Sequence, residues 1–391
     1  MKTNKKIKGL VSIALALLIF ACPLAESKAL AAAQLPVEVE AESAIVMEVS
    51  TGMVLYEKEI QERHYPASTT KLMTLLLAVE AVERGEASWE DRVTASALAE
   101  SYGGSQIFLA EGEILTLKEL ALGVALASGN DAAVAIAEYL AGSHGAFVEK
   151  MNERAKELGM EGSHFVNANG LHDENHYTTA WDLCLLAREA VKHPDLLEMT
   201  ALKHYRIREH TSRPFQYDNK NKLLWEFEGA KGLKTGWTLE AGYCLVGYAQ
   251  RQGLSLVAVV LQSPKAKGHT NDTKTLLNWA FNTYVNYKPA PQEIPQIIIN
   301  VNKGKVSQIQ GLLPDQWGIP AVKGQETILH YTWEGPEHIS APYDNSQPLG
   351  YLLVANDQKE LLVKLPVHGD QSVERANMGF MMKNIFTNLL S

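Results

Sequence analysis

Ser68-Thr69-Thr70-Lys71 sets a hydroxyl and an amine three residues apart, a spacing that brings both to one face of a helix. A serine hydroxyl becomes a useful nucleophile only when a base accepts its proton. Lysine can be that base once its pKa falls from an unperturbed value of about 10.4. Burial or a neighbouring cation lowers it. The residues that follow supply the burial. Leu72, Met73, Leu75, Leu76, Leu77 and Val79 point in nearly every direction around a helix expected over 69–84, and a helix apolar on all sides is a core helix. Its N-terminus also puts partial positive charge near an oxyanion forming beside Ser68. Read plainly instead, Ser68 is an N-cap and Lys71 a solvated lysine of the first turn.

Two further polar motifs follow in order. Ser128-Gly129-Asn130 is squeezed between apolar helices expected over 117–127 and 132–141, the first opened by a Thr116/Glu119 capping box. One reading is a simple helix–helix turn. The other lets Ser128 pass a proton between Lys71 and a leaving amine, while the Asn130 amide holds a substrate backbone. Lys234-Thr235-Gly236 precedes a hairpin over 242–261 and so falls on a strand at a sheet edge, or on a strand-entry turn. On an edge, Lys234 and Thr235 can bind a carboxylate, and Gly236 lets a substrate backbone approach. The backbone N–H groups of Ser68 and Trp237 can then form an oxyanion hole.

The elements that must position these motifs read as an α+β domain over 36–287: strands at 44–47 and 53–56 around the Ser50-Thr51-Gly52 turn, helices in the middle, a hairpin, and a closing helix over 273–284. Lys288 to Pro295 holds three prolines and reads as a stiff linker. Strand-like runs at 297–301, 327–333, 349–355 and 360–365 then make a small all-β domain over 296–370. Over 372–391, Met378, Met381, Met382, Ile385, Phe386, Leu389 and Leu390 fall on one face of a helix, either docked on the β domain or lying at a membrane surface.

The first 31 residues read as a signal peptide, with Lys2, Lys5, Lys6 and Lys8 before an apolar stretch from Leu10 to Ala21 and an Ala29-Leu30-Ala31 cleavage site. The chain is thus expected outside the cytoplasm, in the wall space or on the outer face of the cytoplasmic membrane. Past the signal, only Cys184 and Cys244 remain, both in apolar patterns. Buried unpaired thiols are the default, with one disulfide possible. A formal charge of −9 over 391 residues excludes an electrostatic footprint for nucleic acid.

Together, Ser68-x-x-Lys71, Ser128-Gly129-Asn130 and Lys234-Thr235-Gly236 resemble the active-site motifs of the penicillin-binding, serine-transpeptidase and β-lactamase-like superfamily. The Ser-Gly-Asn form, the signal, the trailing β domain and the amphipathic end are similar to its low-molecular-mass D-alanyl-D-alanine carboxypeptidases, the sporulation-type members most of all. Asn167-Ala168-Asn169-Gly170-Leu171 and Gly232-Leu233 are similar too. The resemblance implies an acyl-enzyme on Ser68, peptidoglycan stem peptides ending in D-Ala-D-Ala as substrate, covalent inhibition by β-lactams, and no cofactor. Two residues depart from the common pattern: Trp237 stands where many relatives have His, and Lys220 where many have Arg. Lys220 keeps a charge for a carboxylate but loses the bidentate fork. A class A β-lactamase usually has Ser-Asp-Asn and needs an additional Glu, and no Glu-x-x-x-Asn stands in an equivalent place. A sensor that is acylated and not released shares all three motifs. A metal hydrolase would need His172 and His176, but Asn169-Gly170 puts them in a loop and His-Glu-x-x-His does not occur.

Overall fold

The computed structural model describes residues 37–377, apart from positions 210, 212, 315, 316 and 326. The signal segment 1–31 lies outside the described residues. A five-stranded antiparallel sheet organises the first part of the chain. Its strands are β1 (Ser43–Glu48), β2 (Val54–Lys58), β3 (Ala230–Thr238), β4 (Gly242–Arg251) and β5 (Leu254–Ser263), in the spatial order β2-β1-β5-β4-β3. The β4–β5 hairpin turns through Gln252 and Gly253, both at positive φ, as a two-residue turn matching strand twist demands. The strand carrying Lys234-Thr235-Gly236 is the free edge, as its position before the hairpin predicts.

The sheet buries both faces, which explains its nearly continuous apolar runs. On one side Ile45, Met47, Cys244, Val257, Val259 and Leu261 meet a helical layer. Central to that layer is helix α1 (Lys71–Glu83), with Leu72, Met73, Leu75, Leu76 and Val79 all buried. Helix α2 (Asn130–Ala141) packs beside it and stops at Gly142, whose φ of 76° is the left-handed conformation a helix end favours. On the other side Ala44, Val46, Leu256, Ala258 and Val260 meet helix α3 (Gly268–Thr283).

Beyond α3 the strand Tyr284–Tyr287 pairs antiparallel with Ile319–Val322. The expected linker contains a short 3-10 turn, Pro291–Glu293. A six-stranded sheet follows, in the order His330–Glu334, Gly350–Ala355, Leu361–Gly369, Gln308–Leu312, Ile298–Asn302, His338–Ser340, around its own apolar core. Gln308–Leu312 and His338–Ser340 escape a pattern reading because they are short and mostly polar. The helix expected from residue 372 does not begin there. Val373 bridges Tyr343 and Arg375 bridges Gly304, so this stretch is extended. Residues 378–391, which carry most of the expected apolar face, lie outside the described residues.

Cys184 and Cys244 are buried and free, not bridged. Burial pushes the Cys244 thiol up to about 12 and the Cys184 thiol higher still. Cys184 and Cys244 are therefore expected to resist a thiol-specific chromogenic reagent over hours in the native protein, and to react together, one equivalent each, on unfolding in denaturant. Fast labelling of the native state would contradict this burial.

Candidate active site

The site begins with a turn that is not a plain helix start. Ala67–Thr70 is a 3-10 turn, and α1 proper begins only at Lys71 with Thr70 as its N-cap. Ser68 is therefore not an N-cap, which removes the bland reading of that residue. Ala67 holds φ at 48°, a conformation costly for any residue with a Cβ. Two glycines let neighbouring backbone close on this turn. A Cβ on Gly170 would sit 1.8 Å from the Ala67 carbonyl oxygen. One on Gly236 would sit 2.8 Å from the Pro66 carbonyl oxygen and 3.1 Å from the Ser68 nitrogen. The sequence reading kept Gly236 bare for a substrate. The structure keeps it bare so that β3 can press against the Ser68 turn.

Lys71 is fully buried, and its Nζ meets three oxygens: Ser68 Oγ at 2.9 Å, Asn130 Oδ1 at 2.7 Å and the Asn169 carbonyl at 2.5 Å. The Asn130 amide is oriented by its own donor, since Nδ2 donates to the Gly103 carbonyl at 2.7 Å. Two of the three partners of Nζ can therefore only accept. A neutral amine spends its two N–H groups on them and turns its lone pair toward the Ser68 hydroxyl. Burial, then the charges of Lys234 and Lys220, hold Lys71 well below the usual lysine range, against a smaller opposing pull from Asp131.

Ser128 is reached through a strained element. The helix Leu117–Leu122 widens into a π turn at Gly123–Ala127, and Ser128 follows at φ 62°. This replaces the single helix expected over 117–127. Lys234 Nζ donates to Ser128 Oγ at 3.0 Å and to its neighbour's carbonyl, that of Thr235, at 3.0 Å. Lys220 stands across the site, donating from Nζ to Ser105 Oγ at 2.7 Å. Trp237 is 56% exposed, with its ring 6.0 Å from Tyr243, which in turn stacks on His269 of α3. Gly236 faces the Ser68 turn, so its strand neighbour Trp237 sends its ring to the opposite face of the sheet. Only the Trp237 backbone can serve the site from there. His172 sits edge-on to Tyr65, while both ring nitrogens of His176 are engaged by the protein itself.

Against known proteins, the sequence profile of the D-alanyl-D-alanine carboxypeptidase family matches residues 28–265. The curated D-alanyl-D-alanine carboxypeptidase DacF of Bacillus subtilis is 37% identical over 345 residues, covering 88% of either chain. Among solved structures, penicillin binding protein 5 from Haemophilus influenzae superposes with a TM-score of 0.69 at 27% identity, over 88% of this chain and 100% of that one. Penicillin-Binding Protein D2 from Listeria monocytogenes, in its cefotaxime bound form, gives a TM-score of 0.58 at 32% identity over 63% of this chain and 100% of its own. The chain belongs to the D-alanyl-D-alanine carboxypeptidase family.

In this carboxypeptidase the structure adds residues that pattern reading passed over. Asp131 is buried, and its two oxygens accept N–H groups from Ile107, Leu109 and Ala132. It thereby pins the loop that carries Gly103 and Ser105, which orient Asn130 and Lys220. Its place directly after Ser-Gly-Asn was the available signal: an acid in a helix's first turn seeks backbone donors. Asn169 contributes a carbonyl, which no side-chain motif can announce.

The lysine cluster costs stability, and pH reveals the cost. Burial, then Lys220, brings Lys234 down to about 7. The unfolded chain therefore binds a proton that the native one lacks between about pH 7 and pH 10, and native stability rises with pH across that window. Below pH 7 the penalty is full, on the order of 3–5 kcal/mol by the usual conversion. Lys234→Met is expected to flatten this rise and to stabilise the protein near neutral pH. Unfolding free energies of both proteins at pH 7 and pH 9.5 give the check, and equal slopes would contradict a depressed Lys234.

Proposed function

We propose that this carboxypeptidase acylates on Ser68, with Lys71 as the base for both half-reactions. The single observation that carries this reading is the buried Lys71 amine, 2.9 Å from Ser68 Oγ and held besides by two pure acceptors, the Asn130 amide oxygen and the Asn169 carbonyl. Ser68 Oγ bonds to the carbonyl carbon of the penultimate D-alanine while its proton passes to Lys71. The oxyanion is received by the N–H groups of Ser68 and Trp237. Collapse breaks the C–N bond, and the proton moves through Ser128 Oγ to the leaving amine of the terminal D-alanine. Lys71, neutral again, then takes a proton from water as the water oxygen bonds to the ester carbonyl carbon, and collapse breaks the C–Oγ bond while Lys71 returns that proton to Ser68 Oγ.

In this reading the Asn130 amide holds the peptide and Lys234 receives the terminal carboxylate. The cefotaxime bound form of the Listeria relative supports β-lactams as ligands of this site, and an acyl adduct on Ser68 is the form expected here. The basic, apolar first 31 residues support export, and the apolar face expected past residue 377 supports contact with the outer face of the cytoplasmic membrane. No helix among the described residues is long and apolar enough to cross a membrane.

Two measurements test the roles. Ser68→Ala should abolish peptidase activity and labelling by a fluorescent penicillin while the protein stays folded. Lys71→Ala should slow acylation by about a hundred- to ten-thousand-fold. A penicillin adduct mapping to another residue, or an undiminished Lys71→Ala rate, would refute the assignment.

Lys234 is the finer case. A charge-assisted hydrogen bond is worth roughly 1.5–3 kcal/mol, so Lys234→Gln should lower kcat/KM for free-acid peptides about ten- to a hundred-fold. The matching peptide amide, lacking the charge, should lose much less. Equal losses would instead assign Lys234 to the support of Ser128, which its 3.0 Å contact also permits.

A further inference from the structure

We propose that His176 is a positioning residue for the base: it ties the Ser68–Lys71 turn to the loop whose Asn169 carbonyl holds Lys71. This rests on the reading of Lys71 as the base and concerns how its lone pair is aimed.

His176 is 1% exposed and bridges two elements. The Val166 N–H donates to its Nδ1 at 3.1 Å, so the ring proton is on Nε2, which donates to Thr70 Oγ1 at 2.7 Å. Thr70 lies directly before Lys71. Val166 begins the segment that continues through Asn167 and Ala168 to Asn169. That segment rests on one face of the turn and α1. Gly170 packs on Ala67, Thr74 Oγ1 donates to the Ala168 carbonyl at 2.7 Å, and Lys71 Nζ donates to the Asn169 carbonyl. Other ties shape the loop from within, hold it to α1, or fix it to the helix His144–Glu157 through Asn152 and His144, but His176 holds the entrance of the loop directly to the nucleophile turn.

Only a neutral ring can do this. Protonation would turn Nδ1 into a donor facing the Val166 N–H. Burial pushes His176 down to about 4, with Lys71, His164 and His172 adding to the shift and Asp173 opposing it. The bridge is thus intact over the pH range in which Lys71 works. Without it the loop relaxes from α1, the Asn169 carbonyl leaves the Lys71 amine, and the freed N–H lets the lone pair swing off Ser68. Removing an acceptor that favours the ammonium also lowers the Lys71 pKa.

The test compares His176→Ala, His176→Gln and Thr70→Val with the full-length protein, using acylation by a fluorescent penicillin across pH 4–9 and thermal unfolding on each. Both His176→Ala and Thr70→Val are expected to lose on the order of ten- to a hundred-fold in acylation rate with the penicillin dissociation constant little changed. The acid limb of the rate profile should move to lower pH in both. His176→Gln, whose amide can still donate to Thr70, should recover part of the rate. The double variant should be no slower than the worse single one. Rates within twofold of the parent, or losses that follow melting temperature with the acid limb unmoved, would overturn the positioning role. Lys71→Ala separates the two levels. If it is inactive while the His176 variants are normal, only this inference fails; if it acylates normally, the base assignment falls first.

Discussion

A neutral amine, kept out of water with its lone pair pointed at one hydroxyl, is the condition on which the rest of this structure depends. Lysine is a poor base in water because it is protonated, and a poor core residue because it is charged. Both defects are removed together by burial, which is why Lys71 belongs to a helix whose other side chains are almost all apolar. Burial alone would leave the amine free to rotate. Two acceptors from distant parts of the chain, the Asn130 amide oxygen and the Asn169 carbonyl, take up its protons and leave one direction open. The helices around α1, the strained turns and the loop over 166–171 all serve that direction.

The charge pattern has the same origin. Burial lowers Lys71, Lys220 and Lys234 alike, with Lys234 and Lys220 adding to the shift of Lys71 and Lys220 to that of Lys234, while the buried carboxylate near them, Asp131, accepts hydrogen bonds from backbone N–H groups. The site is therefore electropositive without an internal counter-ion placed against Lys234. In the proposed reading a peptide ending in a carboxylate supplies the missing charge, and its binding favours the protonated form of Lys234. The native fold carries this as a stability cost, together with left-handed backbone at Ala67 and Ser128. Strain and unpaired charge collect at the place where chemistry needs them.

Much of this was legible in the residue pattern. Three short motifs, an all-apolar helix and a hairpin located Ser68, Lys71, Ser128, Asn130 and Lys234, because side-chain chemistry and periodicity are written directly into sequence. The edge position of β3 followed from the hairpin after it. What escaped was backbone geometry and long-range contact. Asn169 acts through its carbonyl, and Gly236 is small for the sake of Pro66 and Ser68, far away in the chain. Where the Trp237 ring goes was equally hidden, since its partner Tyr243 is set by strand pairing and not by the neighbouring motif. The π turn before Ser128 and the start of the expected terminal helix were misread for a related reason. Apolar spacing says which face is buried, and not which hydrogen bonds the backbone chooses.

The proposed mechanism asks one base to serve both halves of the reaction. Hydrolysis of an ester on Ser68 requires a second proton acceptor or the return of the first. Asp131 cannot act, since its oxygens are consumed by N–H groups and it is buried behind Asn130. The Lys234 amine is already engaged by Ser128 Oγ and the Thr235 carbonyl. His176, hydrogen-bonded to Thr70 beside Lys71, has both nitrogens bound within the protein. The amine that takes the Ser68 proton must therefore pass it on with the departing D-alanine before water can be activated. In that reading it is proton transfer to the leaving nitrogen that resets the base, whether or not the amine departs. A leaving group that stays in the site therefore blocks the second half of the reaction by standing where water must attack, and not by depriving the acyl-enzyme of its base.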